Sequence, residues 1–263
     1  MELLQAFQRV DAVARGKLRR VLNRMGFDVI RLTPKTPLDI DSEDVETIEA
    51  VRNFTMTSPE RVHALCAAVR YVVAAQVPGS IVECGVWRGG SMMAVAKTLL
   101  RKERDDRDLY LFDTFEGMTP PGERDIALDG RRARDLLRRS IRSKEDLLWC
   151  YSPLDDVRAA MNSTGYPSHR VHYVRGTVEE TIPAAAPPSI AILRLDTDWY
   201  ESTRHELLHL VPRLSLGGVL IVDDYGHWRG ARSAVDEYIA LNGSKLLLNR
   251  VDYSGRIAVK AFD

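Results

Sequence analysis

Leu193-Arg194-Leu195-Asp196-Thr197-Asp198 is a short apolar run that ends abruptly in carboxylates, and Leu220-Ile221-Val222-Asp223-Asp224 repeats the pattern. A strand buried on both faces needs apolar side chains in both directions, so both runs read as central strands of a parallel sheet. Carboxylates at such strand ends emerge at the carboxyl edge of the sheet, where open α/β folds bind ligands. Four Asp at two neighbouring tips repel one another unless positive charge sits between them. A divalent cation is the simplest neutraliser, and an oxygen-only donor set suits Mg²⁺ or a similar hard ion.

Outward from these runs, apolar stretches and amphipathic stretches alternate. Strands are expected over 80–84, 108–113, 171–174, 189–195 and 218–222, with helices over 59–75, 91–100, 200–211 and 230–241. Segments 245–248 and 257–262 would close the sheet as an antiparallel edge. The pattern predicts an α/β fold with a doubly wound, mostly parallel seven-stranded sheet. Residues 114–170 are too long and charge-rich for a simple connection. With helices around 131–142 and 153–161, they read as a helical lid insertion on the ligand side. Its arginines, Arg131, Arg132, Arg134, Arg138, Arg139 and Arg142, read as a solvated face.

Residues 1–50 divide from the 51–263 domain. Leu3, Leu4, Phe7, Val10, Val13, Ala14, Leu18, Val21, Leu22 and Met25 recur at helical spacing over 2–25, a locally basic amphipathic helix that packs on the domain or a second subunit. Attachment to a membrane surface is the sharper alternative. A linker with Pro34, Pro37 and an acidic run from Asp39 to Asp44 follows.

The chain has 263 residues, with 37 basic and 37 acidic side chains. Zero net charge gives no support for nucleic-acid binding. Three dispersed cysteines, Cys66, Cys84 and Cys150, suggest neither a disulfide framework nor a zinc knuckle. No run approaches the ~18 apolar residues that span a bilayer, and the start lacks a secretory signal. A cytoplasmic location is expected.

Glu83-Cys84-Gly85-Val86-Trp87-Arg88-Gly89-Gly90-Ser91 lies between a strand and a helix. Its glycines permit a sharp turn and close approach by a ligand, but the dinucleotide fingerprint is not met. Glu83 would repel a pyrophosphate and could instead bind an amino group. Asp113, ending the second strand, is placed to accept from ribose hydroxyls. Together these features favour S-adenosylmethionine over NAD.

Four stretches in order, 81–91, 111–118 (Leu-Phe-Asp-Thr-Phe-Glu-Gly-Met), 195–203 (Leu-Asp-Thr-Asp-Trp-Tyr-Glu-Ser-Thr) and 217–225 (Gly-Gly-Val-Leu-Ile-Val-Asp-Asp-Tyr), resemble the macrocin O-methyltransferase family. These are class I methyltransferases, Rossmann-like in fold, that modify sugar hydroxyls, typically on antibiotics. The similarity covers about 50–263. It implies S-adenosylmethionine, Mg²⁺, a glycosylated small-molecule acceptor and an assembly of at least two subunits. Carried over, Asp196, Asp223 and Asp224 match metal positions, and Asp198 matches a proposed general base. Glu83, Gly85, Ser91, Asp113 and Asp196 match the cofactor pocket. Thr57 and Ser58 match a segment near its methionine end, and Gly176-Thr177-Val178 falls where the adenine is flanked.

In an extended strand Asp196 and Asp198 point the same way, one as ligand and one as base. Asp196 remains the alternative base, and Asp198 could instead cap the following helix. Asp223 and Asp224 can both ligate only if the chain turns after them, which Tyr225-Gly226 permits. His227 could assist proton transfer, and Trp199, Tyr200 and Trp228 could stack on sugar faces. Two other readings stand beside sugar methylation: a catechol-type O-methyltransferase acting on an aromatic diol, and a non-catalytic module that binds the adenosyl cofactor.

Overall fold

The structure, a computed structural model, describes residues 39–242 and 246–261. The helix expected over 2–25 lies outside the described residues. In chain order the elements are α1 (Ser42–Val51), α2 (Pro59–Ala74), β1 (Ser80–Cys84), α3 (Gly90–Arg101), β2 (Leu109–Asp113), α4 (Ala133–Arg139), α5 (Leu154–Asn162), β3 (Val171–Arg175), α6 (Val178–Thr181), β4 (Ile190–Leu195), α7 (Tyr200–Leu210), β5 (Leu214–Val222), α8 (Arg229–Asn242), β6 (Asn249–Arg250) and β7 (Arg256–Val259).

One seven-stranded sheet runs in the order β3-β2-β1-β4-β5-β7-β6. Strands β1 to β5 are parallel, and β7 pairs antiparallel with β5 and β6. The strand order reverses direction between β1 and β4, the topological switch point where doubly wound sheets open a ligand crevice. Every residue of β4 is buried, as a continuous apolar run requires, except that one of the six is Arg194.

Alternate side chains along the central strands feed two cores. Ile81, Ile192 and Ile221 face the layer built from α1, α2, α3 and α5. Val82, Leu193 and Val222 face the layer built from α7 and α8. Each fully buried Ile or Leu contributes roughly 1.5–3 kcal/mol. Arg194 and Asp196 continue the β4 register of Ile192, and Asp223 continues the β5 register of Ile221. This register points them toward α2.

Three expectations are corrected. The acidic run over 39–44 is the start of a helix, not a linker: Asp41 caps α1 by accepting from the Asp44 backbone N–H at 2.9 Å. Ile48 and Val51 then enter the first core, so the domain begins before residue 51, and its compact unit spans Leu38–Asp263. The insertion expected over 114–170 ends in a helix that belongs to the main layer. Val157, Ala160 and Met161 of α5 recur at helical spacing and pack into the same core, making α5 part of the main layer. The edge strand is 249–250, and of the expected 245–248 the described residues Leu246 and Leu248 pack against the second core. The lid arginines Arg131, Arg134 and Arg142 do pair with acids at the surface, contacts worth little each. No helix among the described residues is long and apolar enough to cross a membrane.

Asp44 pins α1 to α2. Its buried carboxylate accepts from Arg70 at 2.5 and 2.9 Å and contacts His63 Nδ1 at 2.5 Å. Burial raises its proton affinity, but Arg70 and His63 outweigh burial and hold the carboxyl below its ordinary 3.8. A depressed folded-state value stabilises above the unfolded pKa, and that stabilisation is lost as pH falls through the lowered value. Asp44→Asn should cost about 2 kcal/mol at neutral pH, a fall of roughly 4–8 °C in Tm for a domain of this size. The difference from wild type should shrink in melts run below pH ~4. An equal difference at all pH values would show that the charge of Asp44 contributes nothing.

Candidate active site

Backbone hydrogen bonds continue past the strand ends and hold the tips together. Gly85 N–H donates to Phe112 O, Asp196 N–H to Cys84 O, Asp223 N–H to Leu195 O and Gly176 N–H to Asp113 O, all at 2.8 to 3.1 Å. The tips of β1 and β4 meet so closely that a Cβ on Gly85 would stand 2.0 Å from Asp196 O. Gly85 also has φ +82°, where a side chain is strained. Its first role is therefore to let the β4 tip sit against the glycine turn.

A cavity opens over these tips. Thr57, Gly85, Ser91, Asp113, Gly176, Thr177, Val178, Asp196, Asp198, Asp223 and Asp224 all line it. Two expected cofactor contacts, Ser58 and Glu83, are not on its wall. Ser58 caps α2, accepting from Arg61 N–H at 3.2 Å, and donates to Asp252. Glu83 is buried in β1 and takes a 2.6 Å bond from Arg194, its register partner on β4. Its contact in the structure is thus with Arg194 rather than with the cavity. Burial pushes the Glu83 carboxyl upward against the pull of Arg194.

Asp113 is neither exposed nor free. Its two oxygens accept from the backbone N–H groups of Val86, Trp87 and Phe115 at 2.6, 3.1 and 2.6 Å. This clamp ties the β2 tip to the glycine turn. A carboxylate offers about four acceptor positions, so room for roughly one more donor remains.

Beside the turn is the acidic group. Asp196, Asp223 and Asp224 each offer an oxygen within 4.8 Å of the others. The chain turns after Asp224, whose carbonyl accepts from His227 and Trp228 N–H, both at 3.0 Å. Gly226 makes that turn fit, because a Cβ there would overlap Tyr253 O. Asp224 Oδ2 is buried without a hydrogen-bond partner. Burial, and then the charges of Asp198, Asp196 and Asp223, push the Asp224 carboxyl well above its ordinary value. Asp198 is raised by burial and by Asp196. Its Oδ1 accepts from the Trp228 indole N–H at 2.6 Å.

Asp198 does not cap α7. It adopts a left-handed backbone (φ +66°), and the cap position falls on Trp199. The free Tyr200 N–H is instead satisfied at 2.8 Å by Asp125, a buried carboxylate from the lid. Trp199 and Trp228 form a small core with lid residues Ala127, Ala133 and Leu137 and also line the cavity. Tyr200 sits in the second core with its hydroxyl on Glu237. His227 lines the cavity beside Tyr253, 3.3 Å from its hydroxyl, and burial lowers its pKa.

Three functional neighbours escaped the sequence reading. Arg194 bridges Glu83, Asp196 and Asp223 at 2.6, 2.6 and 2.8 Å and donates to Thr57 at 3.1 Å. Burial alone would lower its proton affinity, but these carboxylates outweigh burial and raise it well above the ordinary arginine value. A lone arginine inside an all-apolar run was its signal. Arg61, from the first turn of α2, contacts Asp223 and Asp252. A cation at a helix N-terminus opposes the macrodipole, which signals a need for carboxylate partners. Glu206 of α7, fully buried, accepts from Thr197 at 2.9 Å and so underpins the loop between Asp196 and Asp198. Nothing in its local sequence marks it.

Comparisons with known proteins identify the family. A family profile described as Macrocin-O-methyltransferase matches residues 33–259. The 8-demethyl-8-(2,3-dimethoxy-alpha-L-rhamnosyl)-tetracenomycin-C 4'-O-methyltransferase of Streptomyces olivaceus is 35% identical over 201 residues, 76% of this chain and 73% of that protein. The demethyldecarbamoylnovobiocin O-methyltransferase of Streptomyces niveus is 33% identical over 186 residues, 71% of this chain and 68% of that protein. The solved structure of the O-methyltransferase NovP aligns with a TM-score of 0.69 at 31% identity, covering 80% of this chain and 83% of its own.

The close approach at Gly85 is testable against a matched control. Gly165 has a similar φ of +78°, and nothing lies within 4 Å of the point where its Cβ would stand. Gly165→Ala should cost only the left-handed penalty, about 1–2 kcal/mol. Gly85→Ala should cost several kcal/mol more, as overlap with a backbone carbonyl demands. Equal Tm losses for the two variants would show that the tips do not touch as described.

Proposed function

Because the chain belongs to the macrocin O-methyltransferase family, we propose that it moves a methyl group from S-adenosylmethionine to a sugar hydroxyl of a glycosylated natural product, assisted by Mg²⁺. The class I methyltransferase fold expected from the motifs is the fold found, with its crevice between β1 and β4. One relative is named for a rhamnosyl tetracenomycin and another for demethyldecarbamoylnovobiocin. Those names support a glycosylated antibiotic as acceptor.

The observation that carries the reading is the meeting of Asp196, Asp223 and Asp224 on the wall of the cavity. The three residues fit a hard divalent cation. All donors are carboxylate oxygens, and one of them, Asp224 Oδ2, is buried without a partner. Arg61 and Arg194 offset only part of the charge of the acids around them. When bound, the cation would supply Lewis acidity, lowering the proton affinity of a coordinated hydroxyl and orienting it.

The remaining work falls to the side chains. Asp113 and the turn it clamps receive the adenosyl end of the cofactor, with Thr57, Ser91 and Gly176-Thr177-Val178 along the same cavity. Asp198 accepts the hydroxyl proton, its carboxylate oriented by the Trp228 indole. The oxygen lone pair attacks the sulfonium methyl in line, the carbon–sulfur bond breaks, and its electron pair stays on sulfur. The products are a methyl ether and S-adenosylhomocysteine. Leu147, Leu148, Trp199 and Trp228 wall the acceptor end and limit water, and holding the two reactants in contact supplies much of the acceleration.

The test is a panel of glycosylated acceptors incubated with isotopically labelled S-adenosylmethionine and read by mass spectrometry. Glycosides should gain one labelled methyl, while simple catechols should not. Turnover should vanish in chelator and return with Mg²⁺; full activity in chelator would remove the cation from Asp196, Asp223 and Asp224. Asp198→Asn should lower kcat by about 10²–10⁴ and leave cofactor affinity, measured by calorimetry, within a few-fold. A near-normal rate would transfer the base role to Asp196.

A further inference from the structure

Two guanidinium groups reach Asp223, and they differ in their freedom to leave. Arg194 emerges from β4, is almost fully buried, and is held by Glu83, Asp196, Asp223 and Thr57 together. Moving it would strand several buried charges. Arg61 approaches the same carboxylate from α2, lines the cavity, and is less buried than Arg194. Its Nη1 contacts Asp223 Oδ2, and its Nε lies 3.0 Å from Asp252 Oδ2. The second contact is ionic rather than a directed hydrogen bond, since the Nε–H has no aligned acceptor. Asp252 is a fixed post: its Oδ1 accepts from Ser254 and Gly255 N–H at 2.8 and 2.7 Å, and its Oδ2 accepts from Ser58 at 2.9 Å. The Arg61 stem lies in a slot that exists because residue 255 is glycine, as a Cβ there would be 2.7 Å from Arg61 Cδ.

The oxygen that Arg61 engages belongs to a residue of the candidate cation site. We propose that Arg61 is a built-in competitor for the cation: it neutralises Asp223 while the cation is absent and withdraws onto Asp252 when the cation binds. The inference rests on the cation reading of Asp196, Asp223 and Asp224. Arg61 thereby prevents the acidic tips from repelling one another in the empty enzyme, and it sets how tightly the cation is held. Asp252 is a positioning residue in this scheme, because it provides the second seat that makes withdrawal possible.

Competition makes a prediction that a simple change of local charge does not. Mg²⁺ alone is titrated by calorimetry into the full-length wild type, Arg61→Gln, Asp252→Asn and the double variant, each first checked by thermal melting. Arg61→Gln should bind Mg²⁺ roughly tenfold tighter, within the usual range of coupling between sites. Asp252→Asn should bind several-fold more weakly, because Arg61 then has only Asp223 to hold. In the Arg61→Gln background Asp252→Asn should change nothing, since no competitor is left to displace. If Asp252→Asn weakens binding equally in both backgrounds, its charge acts through the field alone and the competition is refuted. Weaker or unchanged binding in Arg61→Gln also refutes it, while wild-type binding keeps the cation reading intact. Failure of both wild type and Arg61→Gln to bind would instead remove the cation reading itself.

Discussion

The structure depends on how several carboxylates coexist at the edge of one sheet with little water to solvate them. Asp196, Asp223 and Asp224 approach within a few ångströms, with Glu83 and Asp198 close behind. Removing a charge from water costs several kcal/mol even after relaxation. The protein meets this cost in two ways. Arg194, buried beneath the tips, serves three carboxylates from one guanidinium. What it leaves unbalanced raises the proton affinity of the remaining acids, Asp224 most clearly. A site under this tension has a strong appetite for positive charge, whether from a side chain or a bound ion.

Close backbone approach makes that concentration of charge possible. Gly85 lets the β4 tip lie against the first turn, and Gly226 lets the chain double back past Tyr253 after Asp224. Gly230 admits Asp125, whose Oδ1 would otherwise be struck by a Cβ at that position. Asp125 then caps α7 from the lid, and the lid backbone runs alongside the residues after β5: Leu128 N–H donates to His227 O, and Arg229 N–H to Ile126 O. The lid base, the α7 start and the Trp228 indole that holds Asp198 are therefore one packed unit.

The central strands and most helices were legible because burial on both faces leaves a continuous apolar run and burial on one face leaves a 3.6-residue period, whereas the short exposed edge strand Asn249–Arg250 leaves no such run. The acidic tips were legible for the complementary reason, since carboxylates interrupting such runs have no structural excuse. What stayed hidden depended on contacts between distant parts of the chain. Glu83 looked like a ligand group until its register partner on β4 proved to be an arginine. Asp125 and Glu206 carry no local mark, because a capping carboxylate and a buried strut are defined by what folds against them. Helix α1 was missed because Asp41, Glu43 and Asp44 read as a charged linker, although acids suit a helix's first turn.

The acids at this edge also show how one side-chain chemistry is divided among roles by surroundings alone. Asp113, gripped by three backbone N–H groups, is a clamp with little capacity left. Asp125 meets the end of a helix and caps it. Asp252 is satisfied by backbone and hydroxyl donors and keeps its charge easily, its carboxyl held low despite burial by those donors and Arg61. Asp224, with a buried oxygen and no donor, is the reverse case. Donor supply therefore sorts these four into three whose carboxylates are engaged by the fold and one that keeps a buried oxygen without a donor. That last one faces the cavity beside Asp196 and Asp223.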